Sequence, residues 1–336
     1  MTFTRIEIEE FGGPEVLRIV EENTLPEPAE NEVRVKVLAA GAAFTDIMIR
    51  KGKYPEVKQN PPFTIGYDMV GVVDKTGDGV REFSPGQMVA DLMVIGACAE
   101  YVVVPADRLT KVPEGLDPGR AVSLVLSYVT AYQMLNRIAR VKPGQRVLIH
   151  GAAGAVGTAL IQLSVLNDLK VYGTASKGKH ELVSGLGAVP IDYQTEDFAV
   201  RINTLEKEGV DAVFDPVGGD NLRRSFSVLG RGGRLVSYGF YNSVMGKGGS
   251  IPLDFLRLKL WNILPNHRST FFYSVGAERK KHPEWFSRDL SILFDLLKEG
   301  RVNPVIDRRM PMVEAAKAYE LIENARVNGK VVLENS

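Results

Sequence analysis

The chain of 336 residues contains a single cysteine, Cys98, which excludes an internal disulfide and any metal site that needs two thiolates from one chain. Its neighbours Ala97 and Ala99 mark it as a small buried filler rather than a reactive thiol. There is no net charge, 41 basic side chains facing 41 acidic ones, and no basic cluster longer than Arg279–Lys281, so nucleic acid finds no electrostatic footprint. No apolar run approaches the roughly 18 residues of a membrane span. The first stretch, MTFTRIEIEEFGG, is acidic and lacks the apolar core of a signal peptide, so the expected location is a reducing, cytoplasmic one. No internal repeat or low-complexity tract is present. What remains is an ordinary globular composition, with a mean hydropathy of -0.04, in a chain long enough for two domains.

The first 115 residues are short β-like runs broken by glycine and proline: EVRVKVLAAG, MVGVVDKTG, QMVADLMV, AEYVVVP. This spacing predicts an all-β unit. The texture changes at DPGRAVSLVLSYVTAYQMLNRIARV, where Asp117 caps a helix and Pro118 takes its first position. Strand and helix then alternate: RVLIH, KVYGT, AVPID, DAVFD, GRLVSYG and STFFY, with helices from Ala155, Lys179, Asp197, Asp220 and Leu253. Six short apolar runs with such crossovers predict an α/β fold with a doubly wound parallel sheet. A helix, a strand, a second helix and a terminal strand GKVVLE follow, and are expected to rejoin the β unit. The expected division is 1–122 and 276–336 for the first domain and 123–275 for the second.

The first βα turn reads VLIHGAAGAVGTALIQL. Gly151, Gly154 and Gly157 follow an apolar strand and open a helix, with Ala155 and Val156 between the last two. Glycines placed there let a backbone approach a pyrophosphate at the helix N-terminus. A tight strand-to-helix crossing without a ligand uses the same residues, but the five further strands favour a dinucleotide. An NAD site carries an acid at the end of the second strand. Here the sequence is TASKGKH: Ser176, Lys177 and Lys179, with no acid before Glu181. A carboxylate would repel a ribose 2′-phosphate, whereas a hydroxyl and two ammonium groups bind it. The expected cofactor is therefore NADP(H), against the alternative of a merely solvated lysine loop.

In order and spacing, FGGPEVL, GAAFTDIMIRKGKYP, IGYDMVGVV, SYVTAY, VLIHGAAGAVG, TASKGKHELV, IDYQTEDF, DPVGG and NGKVVL resemble the zinc-free quinone oxidoreductase branch of the medium-chain dehydrogenase/reductase superfamily. IDYQTEDF with DPVGG is most similar to its vesicle amine transport protein subgroup. The resemblance implies a Rossmann domain facing a GroES-like β-barrel catalytic domain across a cleft. Zinc-dependent relatives carry a cysteine and a histidine where this chain has Ala43 and Tyr67, so no metal is expected. It implies hydride transfer to a small-molecule quinone or enone, and cofactor contacts from Thr130, Tyr193, Gly239, Phe240, Phe272 and Tyr273. Tyr54 and Tyr67 are the first candidates for a hydroxyl that steadies an enolate oxygen, ahead of Tyr128 and Tyr241; each has the alternative of a packed aromatic. Asp46 and Asp68 are read as structural acceptors and His150 as a scaffold histidine. A homodimer through STFFY is implied. Many relatives have Asn at the position of Ala43 and some Tyr at that of Met48, which leaves a second reading: an NADPH-binding sensor or interaction protein with little turnover.

Overall fold

The computed structural model describes residues 2–335. The chain divides into two compact units, Met1–Val129 with His282–Ser336, and Thr130–Lys281.

In the second unit six strands, Arg146–His150, Lys170–Ala175, Val189–Asp192, Val210–Asp215, Leu229–Ser237 and Ser269–Phe272, lie parallel in the order 3-2-1-4-5-6. This is the doubly wound arrangement expected from the alternation. Central strands are apolar throughout because helices cover both faces: Val147, Leu148 and Ile149 are all buried, as parallel sheets require. Leu148, Val213 and Leu235 form one core with Ile191, Phe198, Leu222 and Leu258. The crossover helices are Ala155–Leu166, His180–Gly185, Phe198–Leu205, Asp220–Ser227 and Ile251–Ile263. Asp197 caps the third by accepting from the N–H groups of Ala199 (2.8 Å) and Val200 (3.1 Å). Two starts differ from expectation. A single 3-10 turn, Lys177–Lys179, precedes His180, and the last helix begins at Ile251 because Pro252 fits its first turn.

The first unit holds a seven-stranded sheet and a three-stranded one. The long strand Glu32–Ala42 is its organiser, pairing with Asp68–Thr76, Tyr101–Pro105 and Lys330–Glu334. Register shifts at Arg34/Val35 and Val37/Ala39 bend this strand so that it serves three partners. The late segments thus complete the early sheet, with Ile306–Pro311 pairing on the far side of Lys330–Glu334. A helix not foreseen from sequence, Phe44–Arg50, follows the long strand directly.

The helix announced by Asp117, whose carboxylate accepts from Arg120 N–H at 2.8 Å, is not a uniform α-helix. Leu124–Tyr128 and, beyond the division between the units, Met134–Ala139 are π-helical. Periodicity alone does not resolve 3.6 from wider turns over five residues. No helix among the described residues is long and apolar enough to cross a membrane.

Candidate active site

All the residues expected to hold the cofactor lie in the unit Thr130–Lys281. The three glycines of the first turn have separate physical reasons. Gly151 has φ 65°, the left-handed region that favours glycine. A Cβ on Gly157 would stand 2.2 Å from the Gly151 carbonyl oxygen and 2.8 Å from the Ala152 backbone, so this position is small because helix and turn are in contact. A Cβ on Gly154 would meet nothing closer than that same oxygen at 3.3 Å. The space beside Gly154 is left open by the protein. Gly154 is also the N-cap of Ala155–Leu166 and offers no side-chain acceptor, so the first-turn N–H groups around Ala155 and Val156 are served by no capping side chain. An open cradle of donors at the positive end of a twelve-residue helix fits a pyrophosphate.

A buried polar network supports this turn from behind. His150, immediately before Gly151, contacts Thr174 Oγ1 through Nδ1 and Ser225 Oγ through Nε2, each at 3.0 Å. Ser225 donates to Asp215 at 2.7 Å, and Asp215 also receives the N–H groups of Val217 and Gly218 and the Asn221 amide. The ends of the first, second and fourth strands are thereby tied together. Burial holds the His150 imidazole below its ordinary pKa, so it acts as a neutral linker, a scaffold histidine as expected.

Ser176, Lys177 and Lys179 sit just after the second strand, in and before the 3-10 turn. Lys177 is exposed, and no acid pairs with it among the described residues. Tyr193 follows the third strand and is 56 % exposed. Thr130 is buried on the helix Val129–Gln133, and Gln133 of that helix accepts from the Tyr273 hydroxyl at 2.8 Å. Tyr273 is therefore a buried aromatic with a bonded hydroxyl, while Phe272 remains partly open. Phe272 stacks on Phe240 with centroids 5.1 Å apart, and Phe255 closes a three-ring cluster. Gly239 lies against the Pro216 carbonyl, where a Cβ would fall 2.9 Å away.

In the other unit the Tyr54 and Tyr67 hydroxyls are 2.7 Å apart, their rings edge to face. Tyr67 is fully buried and Tyr54 half-buried. The Tyr54 hydroxyl also reaches Glu56 Oε1 at 3.4 Å. The phenols thus form a coupled pair, one inside and one at the surface. Of the other two tyrosines, Tyr128 is buried in the π-helical segment and Tyr241 accepts from Lys247 at 3.4 Å.

Asp46 and Asp68 are both fully buried. Asp46 Oδ2 accepts from Ala43 N–H at 2.9 Å, holding the start of the helix Phe44–Arg50, while Oδ1 has no partner among the described residues. Burial, reinforced by the Asp68 charge, pushes the Asp46 carboxyl up to about 8. Asp68 pairs with the buried Lys330 ammonium at 3.1 Å; burial raises its carboxyl above the ordinary range, against the pull of Lys330. The Cys98 thiol, 3.6 Å from the Tyr319 hydroxyl, is pushed up by burial and behaves as filler. Among the described residues no three His, Cys, Asp or Glu side chains converge on a metal position.

Sequence reasoning missed Glu56, Lys330 and Asp254. Asp254, fully buried, accepts from Gly219 N–H at 2.8 Å and so fixes the DPVGG loop to the last crossover helix. Its signal was an acid in a helix first turn beside Pro252. Lys330 gave none, because a lysine in a terminal strand reads as solvated.

Two protein families match: one described as zinc-binding dehydrogenase over residues 186–333, and the alcohol dehydrogenase GroES-like domain over 29–114. The synaptic vesicle membrane protein VAT-1 homolog of Danio rerio is 31 % identical, covering 99 % of this chain and 70 % of that protein. The quinone oxidoreductase of Rattus norvegicus is 32 % identical over 98 % of this chain and 96 % of its own. Among solved structures, the Escherichia coli quinone oxidoreductase complexed with NADPH superposes with a TM-score of 0.88 at 29 % identity, covering 99 % of this chain and 100 % of that one.

Proposed function

Because the chain belongs to the quinone oxidoreductase branch of the medium-chain dehydrogenase/reductase superfamily, we propose that it is a zinc-independent, NADPH-dependent reductase of quinones or α,β-unsaturated carbonyls. The observation that carries the cofactor choice is the end of the second strand, where Ser176, Lys177 and Lys179 stand and an acid does not. The Escherichia coli quinone oxidoreductase complexed with NADPH supports it. When bound, the nicotinamide supplies a hydride to an electron-poor carbon. The glycine turn holds the pyrophosphate, the lysines read the 2′-phosphate, and the phenylalanines exclude water around the ring.

Reduction of an enone leaves negative charge on the carbonyl oxygen, and a proton must follow. Tyr54 and Tyr67 are assigned to that oxygen: a donor hydroxyl, itself receiving a hydrogen bond from the other phenol, is a better acid than an isolated one. Ala43 and Tyr67 cannot serve as the cysteine and histidine of a catalytic zinc site, which supports chemistry without a Lewis acid. The cytoplasm, where Cys98 stays reduced, is the assigned location. A homodimer through the sixth strand, Ser269–Phe272, is assigned as well.

NADPH oxidation measured against a quinone, an enone, an enal and an enoyl thioester tests the reading. Tyr67→Phe and Tyr54→Phe should lower enone turnover by roughly tenfold to a thousandfold, the cost of a lost oxyanion donor. Quinone turnover should suffer less, since a hydroquinone anion is already delocalised. Tight NADPH binding with no turnover on any acceptor would replace this reading with that of a sensor.

A further inference from the structure

Three strand ends meet at His150, and counting protons fixes the direction of each hydrogen bond there. In the sheet Thr174 stands in register with His150, and Asp215 follows Phe214, the partner of Ile149. Asp215 accepts from four donors: Val217 N–H at 2.7 Å and Gly218 N–H at 3.1 Å on one oxygen, the Asn221 amide at 3.0 Å and the Ser225 hydroxyl at 2.7 Å on the other. A hydroxyl has one proton, and that of Ser225 is committed to Asp215. Ser225 Oγ can therefore only accept from His150, so Nε2 carries the imidazole proton. The charged groups facing the ring are Asp215 and Arg224, and burial outweighs Asp215 to keep the imidazole neutral. Nδ1 then holds a lone pair, which takes the Thr174 hydroxyl proton at 3.0 Å. The result is one chain with one sense, from Thr174 through His150 and Ser225 to Asp215.

Each end of this chain is attached to backbone at the carboxyl edge of the sheet, where ligands bind. Thr174 O accepts from Ala152 N–H, inside the glycine turn, at 3.0 Å. The next carbonyl, Ala175 O, receives His180 Nε2 at 3.2 Å, and Ser176 and Lys177 follow at once. At the other end, Val217 and Gly218 belong to the loop after the fourth strand, whose Pro216 lies against two glycines. A Cβ on Gly151 would stand 3.7 Å from Pro216 Cγ, and one on Gly239 2.9 Å from Pro216 O. One segment thus leads to the lysines assigned to the 2′-phosphate, the other to Gly239 on the nicotinamide side. The side chain that joins them is buried, and the Phe198 ring meets it edge to face, with centroids 4.6 Å apart.

We propose that His150 is a positioning residue for the whole dinucleotide: fixed in its Nε2–H tautomer, it couples the strand end that leads into Ser176 and Lys177 to the loop that follows Asp215, so that both halves of the site are set before NADPH arrives. The proposal rests on the NADPH assignment made above, and adds to it a residue that acts through others. Binding then does not have to order the two segments, and affinity gains by that difference.

NADPH titration of variants tests it, with thermal unfolding as the folding control. Thr174→Val cuts the first link and Ser225→Ala the second; each should raise the NADPH dissociation constant roughly five- to fiftyfold, the effect of a buried hydrogen bond whose remaining partner is left bare. Thr174→Ser keeps the hydroxyl and should stay within about threefold of the wild type. Because both links lie in one chain, the double variant should bind about as weakly as either single one instead of multiplying their losses. In wild-type protein with 15N-labelled histidine, the nitrogen shifts of the His150 imidazole should report the Nε2–H tautomer; its signal is told from those of the other three histidines by its absence in His150→Gln. If the single variants do not fold, the tautomer decides. An Nδ1–H tautomer, a doubly protonated ring near neutral pH, folded single variants that bind NADPH like the wild type, or losses that multiply in the double variant each overturn the proposal while wild-type NADPH binding stands. A wild type that binds no NADPH overturns the proposed function, and the positioning role with it.

Discussion

Asp68 and Lys330 are 262 residues apart in sequence and 3.1 Å apart in space, and neither side chain reaches solvent. The pair pins the last strand, Lys330–Glu334, to the sheet begun by Glu32–Ala42. A Cβ on Gly41 would fall 2.3 Å from Lys330 Nζ, so the pair has no room to rearrange. Lys330→Met should therefore cost about 3–5 kcal/mol, the price of an uncompensated buried carboxylate. Adding Asp68→Asn should return a large part of that loss, and denaturant unfolding of both variants measures it.

Asp46 should make stability fall as pH rises. Its folded pKa of about 8 lies above the ordinary 3.8, so the folded state holds a proton that the unfolded chain releases. Stability should drop from about pH 4 to about pH 8 and then level off. Asp46→Asn keeps an acceptor for Ala43 N–H and removes the titration. Its unfolding midpoint should vary less over that window than that of the wild type; parallel curves would show that Asp46 does not carry the dependence.

Gly154 and Gly157 should fail differently. Gly157→Ala drives a methyl into the Gly151 carbonyl and should destabilise the fold by roughly 1–3 kcal/mol. Gly154→Ala meets only one atom, at 3.3 Å; it should fold normally and bind NADPH at least about tenfold more weakly, because the methyl enters the phosphate cradle. Thermal unfolding and fluorescence titration separate the two.

Lys177→Ala should weaken NADPH by about one to two powers of ten, the worth of one charge-assisted contact. NADH affinity should hardly change. Equal losses for both cofactors would remove Lys177 from the 2′-phosphate.

The alternation of apolar runs with helices was enough to read the six strands of the sheet, since a strand covered on both faces must be apolar throughout. The glycine turn was readable for a related reason: Gly157 has no room for a methyl, and Gly151 takes a left-handed φ. Three features were hidden. Glu56 lies in a loop whose composition says nothing of the tyrosine beside it. The helix Phe44–Arg50 is too short and too buried to show an amphipathic period, its Asp46 and Arg50 both lying inside. Asn262 looks like an unfavourable residue near a helix end until its amide is seen against Thr270. The helix depends on a partner far along the chain, Glu323 against Arg50. Glu56 and Asn262 lie two and eight residues from theirs, and are hidden because composition does not tell how a loop folds back.

The strand Lys330–Glu334 has a consequence for the order in which the chain is made. Thr130–Lys281 is continuous in sequence and leaves the ribosome whole, so its sheet has every strand at hand while translation still runs. The β unit does not. Between the emergence of Asp68 and that of Lys330, 262 residues later, roughly ten to fifty seconds pass at ordinary elongation rates. For that interval Ala39–Ala42 of the long strand lack their partner on the Lys330–Glu334 side and present a bare edge to mispairing.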